Sequence, residues 1–261
     1  MHQRAFSLVE LSIVLVILGL LTGGILGGQA LIRAAQLRAV SVEHGRWQTS
    51  VHTFRDKYFQ LPGDMPNATA FFRAADSSTG VTLTCRDNLI ASAANGTCNG
   101  DGNGRLDFPG GTINEWSLFW NHLANAGLIE GVYLLPVAGG QTPELGRDSP
   151  RSKLGSSGWN ACYTNHGNYG RGDANMFTLG KAGWTTGPCG LGMASDLTPT
   201  EAWNIDTKMD DGQAGNGMVT AEDGFNGWGR CASAGFGWTT LPSNYVLTES
   251  TPWCRLFFKM Q

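Results

Sequence analysis

Basic residues are scarce in this 261-residue chain, with 18 Lys or Arg against 21 Asp or Glu, and a net charge of −3 gives no support for a basic stripe that would follow a phosphate backbone. Nucleic acid is therefore not an expected partner. No Gly-x-Ser-x-Gly elbow, His-Glu-x-x-His pair or Gly-x-x-x-x-Gly-Lys loop occurs, which removes the usual signatures of a serine hydrolase, a zinc protease and a nucleotide-binding loop. The chain is not expected to be an enzyme. Cys-x-x-Cys is also absent and the five histidines are scattered, which argues against zinc. Between Arg4 and Arg33 there is no Lys or Arg, and from Leu11 to Ile32 there is no charge of either sign. That run is about the 20 residues a helix needs to cross a bilayer.

One carboxylate, Glu10, stands at the outer end of this apolar run. An acid is costly in hydrocarbon unless a partner neutralises it. The leader "MHQRA" is too short for a secretory signal, which needs charged, apolar and cleavage regions in succession. Cleavage between Ala5 and Phe6 would leave an apolar first residue with a free ammonium one helical turn from Glu10, and the two charges could pair between subunits. On these residues the segment resembles the class III signal of type IV pilins and type II secretion pseudopilins. Phe6 matches the first mature residue, which is N-methylated, and Glu10 the membrane-embedded glutamate. Such leaders usually end in Gly, and Ala5 stands in its place. The resemblance implies processing by a prepilin peptidase, insertion in the inner membrane with the remainder in the periplasm, and an assembly platform. It also implies other pilin-like subunits as partners, in a filament at the cell surface.

Gly23 and Gly27, and likewise Gly24 and Gly28, fall at i,i+4 spacing, which lets another helix approach closely and also weakens the helix itself. From Gln29 to Phe59 the chain turns amphipathic, with Leu31, Ala34, Ala35, Val42, Trp47, Val51, Phe54 and Tyr58 at helical spacing, until Pro62-Gly63 stops it. The expected organisation is a leader over 1–5, a helix over 6–61 that is membrane-spanning to about 32, and an exported domain over 62–261. The exported part is rich in Gly, Trp, Asn, Asp and Thr. Its six cysteines, behind a membrane signal, point to disulfides formed in an oxidising compartment. Sequence order favours Cys85 with Cys98, Cys162 with Cys189, and Cys231 with Cys254. The tryptophans are expected in the core.

The stretch "CNGDGNGRLDF" can be aligned on an EF-hand loop. Asn99, Asp101 and Asn103 then alternate, Gly104 takes the sharp turn, Arg105 offers its carbonyl, and Asp107 falls at the ninth position. The twelfth position is Gly110, so Glu115 would have to fold back to supply the acid. Calcium is the cofactor this pattern points to, and the competing reading is an Asn/Gly turn that satisfies its own backbone. "NEWSLFWNHLANAGLI" reads as a helix ending at Gly127, on which His122 is expected to be a satisfied core or surface residue. Thr198, Pro199 and Glu201 form a capping-box helix start. Its last turns hold Asp206, Asp210 and Asp211, a weaker candidate for a cation at the helix end that prefers positive charge.

"MFTLG", "SNYVLT" and "CRLFFKM" read as strands, and 74–97 and 139–175 as loops. The fold class expected is α+β, a long amino-terminal helical spine packed on an antiparallel sheet with long disulfide-bonded loops. The function implied by the resemblance is a structural subunit of a type IV pilus or type II secretion pseudopilus. The rival is a membrane- or filament-tip-anchored adhesin whose Trp- and Gly-rich domain binds a ligand.

Overall fold

The computed structural model describes residues 8–72, 96–107, 115–135, 143–164, 174–182, 196–223, 229–233 and 243–261. Helix α1 runs unbroken through Leu8–Tyr58, 51 residues, or about 75 Å at the α-helical rise. The glycines at 23, 24, 27 and 28 do not interrupt it. Its first half is exposed, while Val40, Trp47, Ser50, Val51 and Phe54 on its second half are buried. The lower half of the stripe packs as expected through Trp47, Val51 and Phe54, joined by Val40, while Leu31 and Val42 of its upper half are 74% and 67% exposed. The helix ends as Phe59 turns to φ 56°, and the chain reverses at Gly63 (φ 92°). There a Cβ would meet the carbonyl oxygen of Glu115 at 2.6 Å.

A short helix α2 (Ala68–Phe71) follows the reversal, and α3 (Glu115–Asn125) is buried along almost its whole length. Helix α3 closes as expected at Gly127. The Leu128 N–H donates to the Leu123 carbonyl and the Gly127 N–H to the Ala124 carbonyl, the paired bonds of a Schellman stop. Helix α4 (Pro199–Met209) starts with Thr198 and Glu201 in a reciprocal capping box.

Four strands, β1 (Ser157–Thr164), β2 (Ala174–Lys181), β3 (Val219–Asp223) and β4 (Cys254–Lys259), form an antiparallel sheet in the order β1-β2-β4-β3. Trp159, Ala161, Phe177, Leu179, Ala221, Leu256 and Phe258 join the core that contains Val40, Trp47, Val51 and Phe54 of α1. Cys162, Met176 and Phe257 make a smaller cluster of their own. The α+β architecture is as the sequence predicts, and so is the burial of Trp47, Trp116, Trp120 and Trp159.

Three local expectations are corrected. Strand β1 lies inside the stretch read as a loop, because all eight of its residues are buried and it lacks an apolar/polar alternation. Strand β3 carries two buried acids and was not expected. Glu222 pairs with Arg255 across the sheet at 2.7 Å, and Asp223 accepts the N–H groups of Gly229, Cys231 and Ala232, which is what makes burial tolerable. Conversely, "SNYVLT" is not a strand. It meets 231–233 through an isolated bridge at Tyr245 and a bond from the Asn244 N–H to the Ser233 hydroxyl, and the Tyr245 hydroxyl donates to Asp206 at 2.8 Å.

Cys231 and Cys254 are joined as expected, with Cα atoms 5.0 Å apart. Cys98 and Cys162 each take part in a disulfide as well. Cys85 and Cys189 lie outside the described residues.

Candidate functional sites: the amino-terminal helix and the acidic loop

The amino-terminal half of α1 is built to be covered by something other than its own chain. Its apolar window has a mean hydropathy of 2.4 and none of it is buried, so by length and composition it can cross a membrane. Glu10 lies in the first turn of α1 among the exposed side chains Val9, Leu11, Ile13 and Val14. Ala5 and Phe6 lie outside the described residues. A Cβ at Gly23, Gly24, Gly27 or Gly28 would meet nothing within 4 Å. No contact with the rest of the chain therefore requires glycine at these four positions.

The first charge after the apolar stretch, Arg33, fastens the rest of the chain to the helix. Its guanidinium donates to both carboxylate oxygens of Glu201 at 2.6 Å and to the carbonyl of Asp196. The same Glu201 closes the α4 capping box, so one residue joins the spine to the start of α4. Burial raises Glu201, but the hydrogen bonds from Arg33 and Thr198 together with the Arg33 charge outweigh it and hold the carboxyl below its usual range.

The second candidate site is the loop before α3, which folds around a residue outside the loop. Asp64, next to the reversal at Gly63, is 1% exposed. Its Oδ1 accepts the N–H groups of Gly102 and Asn103 at 2.7 and 3.0 Å, and its Oδ2 that of Gly104 at 2.7 Å. Glu115, equally buried, does fold back onto the loop. Its Oε1 accepts from the Asp101 N–H at 2.8 Å and its Oε2 from the Asp107 N–H at 3.3 Å.

Carboxylate oxygens of Asp64, Asp101 and Glu115 thereby converge to within 4.8 Å of one another. Burial, with the charges of its neighbours, pushes Glu115 up to about 8. Asp64 is likewise pushed by burial to about 6, against the opposing pull of its backbone donors.

The remaining predicted residues surround this group. Asp101 Oδ1 accepts from the Asn103 N–H and Asn103 Oδ1 from the Arg105 N–H, both i→i+2 turns. Asn103 Nδ2 reaches Asp101 at 2.9 Å and Asp107 at 3.4 Å, while Asp107 Oδ1 is buried without a hydrogen-bond partner. Asn99 turns its Oδ1 to the Thr69 N–H of α2. Arg105 places its guanidinium over the ring of Tyr163 at 4.8 Å, and Leu106 between them is fully buried as the loop's apolar anchor.

His122 closes the arrangement from α3. Its Nδ1 accepts the Gly63 N–H at 2.9 Å and its Nε2 lies 3.0 Å from the Cys98 carbonyl, the satisfied core histidine that the sequence suggests. With Nδ1 accepting, the proton sits on Nε2 and is donated to Cys98.

The donor set fits a hard cation. Three carboxylates meet, Asp107 holds an orphaned oxygen beside them, and no Lys or Arg ion pair is formed by any of the four among the described residues. The sequence alignment found Asp101, Asp107 and Glu115 but not Asp64. Its only signal is an acid placed directly after the Pro62-Gly63 stop, some forty positions before the residues it holds.

Asp206, Asp210 and Asp211 also converge within 4.8 Å. Their oxygens accept from the Tyr245 hydroxyl and the N–H groups of Gly212, Gln213, Met218 and Val219, which ties the turn after α4 to β3.

An apolar helix with an acid in its first turn, joined by Arg33 to Glu201 just beyond the apolar stretch, has by length and composition what a membrane span needs. Residues 1–26 match the family model described as the prokaryotic N-terminal methylation motif. No curated protein and no solved structure matches the chain.

Proposed function

We propose that this chain is a pilin-like structural subunit of a type IV pilus or type II secretion pseudopilus. The observation that carries the reading is the methylation motif over residues 1–26, continuous with an apolar helix that its own chain leaves uncovered. In this reading the inner membrane holds α1, and a prepilin peptidase cuts after Ala5 and methylates Phe6. The assembly platform then transfers the helix into a bundle of like helices. Glu10 neutralises the Phe6 ammonium of a neighbouring subunit, an attraction that is strong because the surroundings are apolar. The open faces at Gly23, Gly24, Gly27 and Gly28 give those neighbours close approach.

Calcium is part of the same proposal. Asp64, Asp101 and Glu115 would hold the ion, with Asn103 and Asp107 beside them, and it would supply the positive charge that three converging carboxylates lack. Its role is to fix the loop between the end of α1 and the start of α3 in the exported domain.

The experiment is the intact mass and amino-terminal sequence of the protein from membranes of cells with and without an active prepilin peptidase. A chain beginning at methylated Phe6 only when the peptidase is present supports the reading. A chain beginning at Met1 in both makes α1 a static anchor and overturns it.

A further inference from the structure

His44 sits midway along the docked half of α1 and is the point where the helix meets three strands at once. Its ring stacks on Phe258 of β4 at 4.9 Å, meets Phe177 of β2 edge-on at 5.8 Å, and lies 6.5 Å from Trp159 of β1. The Nε2 atom is buried with no hydrogen-bond partner, and one turn further on both amide atoms of Gln48 are in the same state.

The charged group nearest in sequence, Glu43, is engaged elsewhere. It accepts from the Ser152 hydroxyl at 2.7 Å, the Lys153 N–H at 2.9 Å and the Trp159 Nε1–H at 2.7 Å. The residues that β1, β2 and β4 present to the ring are Trp159, Phe177 and Phe258, none of which titrates. Among the described residues no charged side chain opposes burial, which lowers the His44 imidazole to about 4. A neutral imidazole here is an aromatic spacer. An imidazolium would be a buried cation without a counter-charge, and attraction to the facing rings offsets only part of its desolvation.

We propose that His44 is a proton-sensitive latch: neutral, it holds the middle of α1 against β1, β2 and β4, and when protonated it releases that stretch of helix from the sheet. The direction follows from linkage. The docked form binds the proton less readily than the undocked form, so docking is fully supported above the ordinary histidine range and weakens as pH falls through it. With midpoints of about 6.5 undocked and about 4 docked, the docking equilibrium falls about 20-fold between pH 7 and pH 5, and about 240-fold once the pH is well below 4. The Arg33–Glu201 clamp outlasts the latch, because Glu201 stays ionised below the usual carboxylate range.

Global melting does not isolate this effect, since burial raises Asp64, Glu115, Asp148 and Asp206 and these groups gain stability over the same fall in pH. A local reporter does. The Trp159 indole N–H donates to Glu43 across the same helix–sheet contact, and its hydrogen exchange can be followed by NMR on the full chain in detergent micelles. After correction for the pH dependence of free exchange, protection of this proton should fall about 20-fold from pH 7 to pH 5 in the wild type. In His44→Phe, which keeps a ring in the aromatic box, it should stay level. Parallel loss in both proteins overturns the proposal. The second measurement is the imidazole titration of His44 in the unaltered protein, which does not depend on the variant folding. A midpoint near 4 supports the latch, and one near 6.5 overturns it.

Discussion

Replacing Asp64 by Asn tests the acidic loop with two opposite expectations. Without calcium, the amide loses a charge-assisted acceptor to the Gly102, Asn103 or Gly104 N–H groups, a cost of about 1–3 kcal/mol. It also relieves the repulsion among Asp64, Asp101 and Glu115, so the variant should melt within a few degrees of the wild type in chelator. With calcium the two part. At a concentration about 100 times its dissociation constant the ion stabilises the wild type by about 2.7 kcal/mol. That corresponds to a rise of roughly 5–11 °C for a domain of this size. The variant should show almost none of this rise.

Proton release gives an independent check of the same site. Glu115, held up to about 8, carries its proton at pH 7, and Asp64, near 6, retains a small fraction of one. Occupation by calcium requires both ionised, so about one proton should leave per ion bound at pH 7. Calorimetry in buffers of different ionisation enthalpy measures it. A calcium-dependent rise in melting temperature that survives Asp64→Asn, or binding at pH 7 without proton release, would refute the reasoning.

Glu10→Val should leave insertion intact, since the substitution makes the span more apolar, and should impair filament incorporation; equal abundance of variant and wild type in sheared filaments would count against the subunit pairing. Arg33→Ala removes the bidentate contact to Glu201 and Asp196, which is part-exposed and so worth about 1 kcal/mol, and should open the α1–α4 junction to proteases at neutral pH. Because Glu201 is depressed when paired, this contribution is present above its ordinary value near 4.5 and lost as pH falls through its lowered one, so wild type and Arg33→Ala should converge in acid. Phe59→Gly should stabilise the exported domain by about 1 kcal/mol, because Phe59 holds φ 56° while 86% exposed; unchanged or lower denaturant resistance would show that its ring contributes contacts.

Legibility in the sequence followed the range of the interactions concerned. The spine, the Gly127 stop and the Thr198–Glu201 capping box were readable because each depends on residues within a few positions of one another. The same holds for the apolar span with its lone acid. Half of the acidic loop was readable for that reason too, through its i→i+2 turns at Asp101 and Asn103. Strand β1 was not, since a strand buried on both faces among Gly, Asn and Cys carries no alternation to detect. The apolar spacing of α1 marked Trp47, Val51 and Phe54 for burial but could not say that the sheet would stop short of Leu31 and Val42, since that depends on where the strands end in space.

The sequence by itself determined the membrane-competent amino terminus, the α+β class and the adjacent disulfide of Cys231 with Cys254. Only the tertiary structure brought Asp64 under Gly102, Asn103 and Gly104, joined Arg33 to Glu201 across most of the chain, and enclosed His44 among rings from three strands. Local propensity cannot specify such meetings. They arise when burying the apolar face of α1 against the sheet fixes which polar groups are left close enough to satisfy, or fail to satisfy, one another.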